Sequence, residues 1–260
     1  MIRALMASAT GMEAQQLNVD TIANNLANVN TSGFKRSQVL FQDMLYETLR
    51  APGAAQGNSA TVPAGVQLGM GTRMAQIAKV FTPGKMIVTN RDLDVAIEGQ
   101  GFFQLKAPDG TLAYSRDGAF SRNAEGKVVN TDGYELHGID TVSSNATSVS
   151  ISANGTLSET VNGVTTAKGT LPLYRFVNPP GLNAIGHNLF TPSSASGNAQ
   201  QGIPGSDGVG TLQQGSLESS NVEVVDEMVN LIIAQRAYEV NSKAVQASDE
   251  MLQATNNMKR

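Results

Sequence analysis

The sequence predicts an α+β protein with a long helix at each end and a β-rich middle of meander or barrel-like form. Three observations predict this fold class. Residues 2–30 and 221–258 each carry apolar side chains at heptad spacing, and residues 66–190 combine alternating polarity with regularly spaced turn signals. This order allows the two ends to meet and pair as a coiled coil, while the β-rich middle projects between them.

The first helix is predicted from a row of apolar residues that recur every seven positions. Heptad spacing is the pattern of the contact positions in a seam between two helices. We expect the helix to end between Asn30 and Gly33, because glycine readily adopts the left-handed conformation that closes a helix. The apolar row consists of Leu5, Met12, Val19 and Leu26.

The last helix shows the same heptad spacing and a signal for its first turn. Ser220 followed three residues later by Glu223 is typical of a capping box, in which these side chains bond the free amides of the first turn. We therefore expect the helix to begin beside Ser220. We also expect its apolar row to face the first helix and the neighbouring subunits of a polymer. That row contains Leu231, Tyr238, Val245 and Leu252.

The first 34 residues contain only three charged residues but five asparagines. Asparagine disfavours a helix by roughly half a kcal/mol relative to alanine. Charged residues are depleted where protein packs against protein. We therefore expect an outer side that is polar but uncharged, with side-chain amides that bond between chains. The alternative is a weak helix with frayed ends. The expected interface amides are Asn24, Asn25 and Asn28.

The β-rich middle is predicted from an alternating segment and from turn dipeptides. Residues 92–98 alternate polar with apolar side chains. This pattern favours Asp92 and Asp94 as the solvated face of a strand over a calcium or acid–base site. The dipeptides Asn154-Gly155 and Asn162-Gly163 are typical of two-residue hairpin turns, which require positive φ. We therefore expect short antiparallel strands in this region.

Composition and motifs argue against catalysis, cofactors and nucleic acid. The chain has no Cys, which excludes disulfides, thiol nucleophiles and cysteine-ligated metals. Its two histidines, His137 and His187, stand alone, and neither a nucleophile elbow nor a phosphate-binding loop is present. The net charge of -4 provides no basic patch for nucleic acid. We therefore expect no enzyme activity, no metal and no cofactor.

The sequence also lacks the apolar runs of a membrane protein and of a secretory signal. A membrane-spanning helix needs ~20 largely apolar residues, and no run approaches that length. A cleaved signal needs an apolar stretch of ~7–15 residues before its small-residue site. Only three residues separate Arg3 from Ala7. We expect no direct membrane insertion, and export without a cleaved signal peptide if the chain leaves the cytoplasm.

Four stretches of the sequence resemble flagellar rod and hook proteins. Residues 22–36, which read Ile-Ala-Asn-Asn-Leu-Ala-Asn-Val-Asn-Thr-Ser-Gly-Phe-Lys-Arg, are similar to the N-terminal signature of that family. Residues 96–103 and 114–120 resemble its β domain, and residues 220–243 resemble its C-terminal helix. These stretches cover both ends and the centre of the chain, and together they are specific to the family.

The resemblance implies a structural subunit of a hollow helical drive shaft that crosses the periplasm and transmits torque from the motor to the hook. It implies an inner tube made of terminal helices, residues 1–34 with 220–260, and an outer β-rich domain, residues 91–199. Residues 35–90 with 200–219 connect the two. The implied partners are further copies of the chain in a helical tube, proximal rod proteins, hook or hook-junction subunits, outer-membrane and peptidoglycan ring proteins, and the flagellar export apparatus.

Residues 46–65 resemble a segment that distal rod members carry and the hook subunit lacks, and that packs between neighbours to keep the shaft straight. The length of 260 residues also favours a rod subunit over the longer hook subunit. Proximal rod and hook-type members remain alternatives, as does a secreted surface fibre or adhesin, although 5% aromatic residues are few for a ligand-binding head. The rod-type residues are Tyr46, Leu49, Pro52, Gly53, Val62, Pro63 and Gly65.

Overall fold

The structure is a computed structural model of the 260-residue chain. In the described residues the fold is α+β, with a helix near each end of the chain and a β-rich middle, which confirms the fold class expected from the sequence. Gly53, Val62 and Pro63 of the predicted rod-type segment lie outside the described residues. The structure describes residues 2–52, 55–56, 60–61, 64–206 and 208–258.

The chain divides into two compact units. Unit 1 comprises Met1–Leu26, Ser37–Ala78 and Val224–Arg260, so it contains both terminal helices and a β segment. Unit 2 comprises Ala27–Arg36 and Lys79–Glu223, so it contains most of the strands. The residues that follow the first helix and those that precede the last helix therefore belong to unit 2.

The two helices of unit 1 are α1, Ile2–Ala27, and α2, Val224–Met258. α2 begins later than the sequence predicts, and the expected capping box is wrong. The Ser220 hydroxyl accepts a bond from the Val222 amide at 3.3 Å, and Glu223 pairs with Lys85 at 3.4 Å. Both side chains therefore serve the extended segment before α2 rather than the first turn of the helix.

The β segment of unit 1 is a nested hairpin, which we call the ribbon. Its outermost strands pair with each other, the next two pair inside them, and the innermost two pair at its tip. Tyr46 lies opposite Gly69, and Arg50 lies opposite Val66. The ribbon strands are β1 (Ser37–Asp43), β2 (Tyr46–Arg50), β3 (Ala55–Gln56), β4 (Ala60–Thr61), β5 (Val66–Gly69) and β6 (Thr72–Lys79).

Unit 2 is built from short antiparallel strands and one turn of 3-10 helix at Pro179–Gly181. The hairpin turn predicted at Asn162-Gly163 is confirmed, because both residues have positive φ between two paired strands. At Asn154-Gly155 only the glycine has positive φ, so the prediction of a two-residue turn of that type is wrong there. The strands are β7 (Met86–Val88), β8 (Val95–Glu98), β9 (Phe103–Lys106), β10 (Leu112–Ser115), β11 (Ser121–Arg122), β12 (Val128–Val129), β13 (Glu135–Leu136), β14 (Ser148–Ile151), β15 (Thr156–Val161), β16 (Val164–Thr170), β17 (Leu173–Arg175), β18 (Asn183–Gly186), β19 (Leu189–Thr191), β20 (Gln200–Gly202), β21 (Thr211–Gln214) and β22 (Ser216–Glu218).

The largest sheet of unit 2 runs in the order β11-β12-β13-β9-β10-β19-β18. Consecutive strands pair over part of this order, as in a meander. The sheet ends at β11 and β18, so the described strands form an open sheet and not the closed barrel that a barrel-like middle would imply. Smaller sheets pack around it: β14-β15-β16, β17-β20, β21-β8 and β22-β7.

Unit 2 has one main apolar core, and the burial of this core stabilises its many short strands. Phe103 and Phe120 are both buried in it, with ring centroids 5.3 Å apart in an edge-to-face arrangement. A second buried cluster gathers aromatic side chains, and Phe102 and Phe176 pack edge to face within it. The apolar area removed from water is the main stabilising term for such a unit.

The alternation at residues 92–98 does not give the solvated face that the sequence predicts. Asp94 is fully buried, and Val95, Ala96 and Ile97 are buried in turn, so β8 is covered on both faces. β21 pairs along β8, and the Asp94 carbonyl accepts a bond from the Gly215 amide at 2.7 Å. The strand is thus buried in the core of unit 2, and of the two aspartates only Asp92 is exposed as expected.

Candidate assembly interface

Small and polar residues form the contact between α1 and α2. The Asn25 amide lies 3.5 Å from the Glu227 carboxylate, and a Cβ at Gly11 would lie 2.8 Å from the Asn241 amide nitrogen. A step of fourteen residues forward along α1 corresponds to fourteen residues backward along α2, so the helices run antiparallel. Glycine at position 11 permits this close approach, because it presents no Cβ.

Asn25 contradicts the expectation of an outward-facing amide. Its side chain is 1% exposed, and it forms two bonds with the backbone of Ser37, donating at 2.9 Å and accepting at 2.8 Å. This pairing fixes the first residue of the ribbon against α1. Asn24 is exposed and Asn28 is half-buried, so their predicted place in an interface between chains stays a prediction.

The predicted heptad rows lie on the flanks of the helix contact rather than at its centre. The most buried side chains are small or polar, and Ile22 of α1 is a large apolar residue that is also buried. The small or polar set is Ala14 and Asn25 of α1 and Glu227, Ala234 and Ser248 of α2. Val19 and Tyr238 line an open groove between the helices together with Gln16, Gln235 and Glu239. Seven of the eight residues of the rows are half-buried and Tyr238 is exposed: Leu5, Met12, Val19, Leu26, Leu231, Tyr238, Val245 and Leu252.

The opposite side of α2 is apolar and exposed. Ile232 is two residues from buried Ala234, and two residues correspond to about 200° around a helix. Its apolar side chains therefore point away from α1. We call this set the α2 apolar face; its members are 50% to 68% exposed: Val225, Met228, Val229, Ile232 and Ile233. An apolar patch of this kind marks an interaction site.

The ribbon also exposes apolar side chains. Leu45, between β1 and β2, is 86% exposed, and Met74 and Ile77 on β6 are also exposed. A two-stranded ribbon is marginally stable in water on its own. Of the described rod-type residues, Tyr46, Leu49 and Pro52 are exposed, whereas Gly65 is half-buried. A Cβ at Gly65 would lie 2.6 Å from the Arg50 carbonyl oxygen.

Unit 2 contains a buried ionic cluster that the sequence did not reveal. The Glu218 carboxylate lies 2.5 Å from the Lys35 ammonium and 2.8 Å from the Arg116 guanidinium. The side chains are nearly inaccessible to water, at 0% to 3% exposure. Lys35 follows α1 and Glu218 precedes α2, so one carboxylate joins the two segments of unit 2 that lead into the helices. We call this region the junction.

Further bonds connect the same segments of unit 2. The Gly33 amide donates to the Glu218 carbonyl at 2.8 Å, and the Arg36 amide donates to the Asn221 side chain at 2.8 Å. The Asn188 side chain donates to the Ser32 carbonyl at 2.8 Å. The residues after α1 are therefore held by partners from distant parts of the sequence.

The described residues show no arrangement typical of metal or membrane chemistry. Within them, no three His, Asp or Glu side chains are grouped closely enough to hold a metal ion. None of the helices in these ranges is both long and apolar enough to cross a bilayer. His187 pairs with Asp132 at 2.9 Å on the surface. The distinctive features of the molecule are therefore its exposed apolar surfaces and its junction.

Family models match three parts of the chain, at its ends and its centre. Residues 5–35 match a model described as flagella basal body rod protein. Residues 96–159 match the flagellar hook protein FlgE/F/G D1 domain, and residues 213–258 match the flagellar basal body rod FlgEFG protein C-terminal. The matched parts include both helices and the first strands of the core of unit 2.

Relatives match the chain over nearly its whole length. The flagellar basal-body rod protein FlgG of Borreliella burgdorferi is 47% identical over 100% of both chains. The chain belongs to the flagellar basal-body rod protein family. Proteins of the same name in Buchnera aphidicola and Agrobacterium fabrum are 44% and 43% identical, over 97% and 96% of this chain and 98% and 97% of theirs.

Membership confirms the family resemblance seen in the sequence and the prediction that the chain is not an enzyme, because the family is structural. It also implies assembly with other rod and hook components of the flagellum. The surfaces that matter are then those that contact other subunits. In this chain the strongest candidates are the α2 apolar face and the exposed side chains of the ribbon.

Proposed function

We propose that the chain is the subunit of the distal flagellar rod, a hollow helical drive shaft that transmits motor torque to the hook. The observation that carries the proposal is the α2 apolar face, whose five side chains are at least half exposed. Fully burying one such side chain contributes about 1.5–3 kcal/mol. Packing against copies of the same chain removes this face from water and repeats along a polymer.

The helix pair forms the inner tube, in the part of the chain defined by residues 1–34 and 220–260. The antiparallel contacts from Gly11 to Asn241 and from Asn25 to Glu227 support pairing of the two helices as a coiled coil. The half-buried heptad rows then complete their burial against neighbouring subunits. Helices that are long and thinly packed derive most of their stability from such tertiary contacts.

The ribbon packs between neighbouring subunits and stiffens the shaft. Its exposed Leu45, Tyr46 and Leu49 support this role, because a ribbon with apolar side chains on its surface is stabilised by a partner that covers them. It belongs to the connecting region, residues 35–90 with 200–219. The rod-type segment and the names of the relatives support the distal rod over the hook.

The outer domain, residues 91–199, forms the surface of the shaft. There it meets the peptidoglycan and outer-membrane ring proteins as the rod crosses the periplasm. Proximal rod proteins adjoin one end of the shaft and hook or hook-junction subunits the other. The chain reaches this position through the flagellar export apparatus.

Polymerisation of the full chain tests the proposal, through the variant Val225→Gln. This valine is 68% exposed, and glutamine forms helix at least as well, so the monomer is expected to be unchanged. In a polymer, the amide loses water without a bonding partner, which costs about 1–3 kcal/mol. We expect the concentration needed for assembly to rise at least tenfold, measured by sedimentation and electron microscopy.

The matched control is Val164→Gln, at a valine of 66% exposure on β16 in the outer domain. It introduces the same chemistry at the same exposure, and we expect the assembly concentration to change less than threefold. Equal effects of the two variants contradict the role of the α2 apolar face. Discrete trimeric fibres in place of straight hollow tubes contradict the rod and favour a surface fibre.

A further inference from the structure

We propose that Glu218 is the closing residue of unit 2: a single carboxylate that makes the segment after α1, the β core and the segment before α2 fold as one cooperative unit. Four donors converge on it, from three parts of the sequence. Lys35 Nζ and the Gly84 amide bond Oε1 at 2.5 and 2.8 Å. Arg116 bonds Oε2 through Nε at 2.9 Å and through Nη2 at 2.8 Å.

Both cations of the junction are committed to this one anion. The remaining bonds go to backbone carbonyl oxygens. Lys35 donates to Thr82 at 2.8 Å, and Arg116 donates to Gly99, Gly101 and Ile97 at 2.8, 2.9 and 3.4 Å. Among the described residues, no second carboxylate pairs with either cation. Without Glu218, the junction therefore holds two buried positive charges and no counter-ion, which is strongly unfavourable.

The charge balance at Lys35 agrees with this geometry. Burial and the neighbouring Arg116 lower the pKa of Lys35, whereas Glu218 raises it. Burial is the largest of these effects. The carboxylate is thus the group that permits a charged lysine at a site with no access to water.

Backbone bonds place Glu218 where it can couple the segments. Glu218 lies opposite Met86 in the β22–β7 pair, and the Ser219 amide donates to the Lys85 carbonyl at 2.8 Å. A Cβ at Gly84 would lie 2.0 Å from the Ser219 carbonyl oxygen, so the chain before β7 and the chain after β22 approach too closely for a side chain there. Pairing of β22 with β7 and burial of the Glu218 carboxylate therefore occur together.

The order of the residues along the chain gives the coupling a direction. Lys35 and Arg116 precede Glu218 by 183 and 102 positions. A chain synthesised or exported from its N-terminus presents both cations long before their anion. The junction then closes last, and the two segments that lead into the helices become fixed together in the same step. This inference concerns folding of the single chain and does not depend on polymerisation.

Hydrogen exchange of the full-length monomer tests the proposal, with Glu218→Gln compared with Glu223→Gln. Glu223 is five residues away and forms an exposed pair with Lys85. We expect Glu218→Gln to reduce protection at least a hundredfold at the amides of Gly33, Gly84 and Ser219 together. Glu223→Gln is expected to change protection less than threefold, because exposed ion pairs contribute little.

Loss of protection at Gly84 alone overturns the proposal, because Glu218 is then only a local acceptor. If Glu218→Gln does not fold, Glu218→Asp replaces it. Aspartate keeps the charge but is one methylene shorter, so it no longer reaches both cations. The closing role then requires a smaller loss of protection, at least fivefold, shared equally by the same three amides. Unequal losses among them overturn the proposal.

Discussion

Units 1 and 2 of this chain differ in how much of their apolar surface is buried. Unit 2 has two buried apolar clusters, and Phe103 and Phe120 lie in the larger one, although Val177 and Ile203 on its surface are exposed. Unit 1 leaves Ile232 and Ile233 on one helix, and Leu45 beside the ribbon, largely exposed. Unit 2 therefore has an extensive core of its own, whereas unit 1 leaves much of its apolar surface exposed in the single chain. Under the proposed function, the exposed apolar side chains of unit 1 are those that neighbouring subunits would cover.

The polar side chains show the same contrast. In unit 2 they form a closed ionic cluster around Glu218 that excludes water. In unit 1 polar side chains such as Asn25 and Asn241 lie between the helices, while large apolar residues such as Ile232 are exposed. A polar residue at a helix seam fixes register at some cost in stability. The polar contacts therefore favour one register of the helix pair, and its most apolar surface faces outward.

The largest expected difference between the units is in matched leucine substitutions. Leu105 is 1% exposed in the core of unit 2, whereas Leu45 of unit 1 is almost fully exposed. We expect Leu105→Ala to lower the free energy of unfolding by about 3 kcal/mol, because it removes buried methyl groups and leaves a cavity. We expect Leu45→Ala to change it by less than about 0.5 kcal/mol. Urea denaturation of the monomer measures both.

Similar losses of stability in the two leucine variants would contradict this difference between the units. A loss of more than about 1 kcal/mol for Leu45→Ala would mean that the ribbon is already packed in the monomer. Assembly provides the converse measurement. Leu45→Ala should raise the concentration needed for polymerisation more than Leu105→Ala does under conditions where both variants remain folded.

The next largest effect concerns the backbone at the junction of unit 2. Gly33 has φ +69°, and a Cβ there would lie 2.6 Å from the Asp117 amide nitrogen. Gly110 also has positive φ, at +87°, but its Cβ would meet nothing within 4 Å. Gly33→Ala therefore combines backbone strain with a clash, whereas Gly110→Ala adds strain alone.

We expect Gly33→Ala to cost about 3 kcal/mol and Gly110→Ala about 1 kcal/mol, since left-handed strain is about 1–2 and overpacking about 1–3 kcal/mol. Thermal unfolding of the two variants measures the difference. Equal costs would mean that the segment after α1 moves freely away from Asp117. In that case the junction would be looser than its bonds indicate.

Much of the architecture follows from local pattern. Heptad spacing predicts both helices, and the dipeptide Asn162-Gly163 predicts a hairpin turn that the structure contains. What local pattern does not specify is which side of a helix is covered. Gly11 and Ala234 bring the helices together where the apolar rows suggest leucine and valine, and that choice turns Asn25 inward.

The junction could not be predicted because its partners are far apart in sequence. Lys35 reads as half of a basic pair after a helix, and Glu218 as an ordinary polar residue at the end of a strand. Neither position carries a periodic signal of burial. The expectation for Asp94 fails for a related reason, since alternation in sequence does not reveal that both faces of β8 are buried in the core of unit 2.

The smallest expected effect is a pH dependence that belongs to unit 2. The Lys168 ammonium lies 2.9 Å from Glu159, and the Ser143 amide and hydroxyl each donate to its carboxylate at 2.8 Å. These bonds lower the pKa of Glu159 to about 2, with the bond from Lys168 as the largest cause. Because the folded pKa is below the ordinary value of 4.5, Glu159 stabilises the fold above pH 4.5.

This stabilisation is lost as the pH falls from about 4.5 towards 2, where the folded carboxylate takes up its proton. Glu159→Gln removes the titration, so we expect the melting temperature of the variant to fall less steeply over that window than that of the unaltered chain. The control is Glu47→Gln in unit 1, which breaks only the exposed pair with Arg3. Exposed pairs contribute little, so this variant should follow the unaltered chain. Parallel curves for Glu159→Gln and the unaltered chain would show that the Glu159 carboxylate is solvated in the folded chain. The bonds from Lys168 and Ser143 would then not stabilise its charged form.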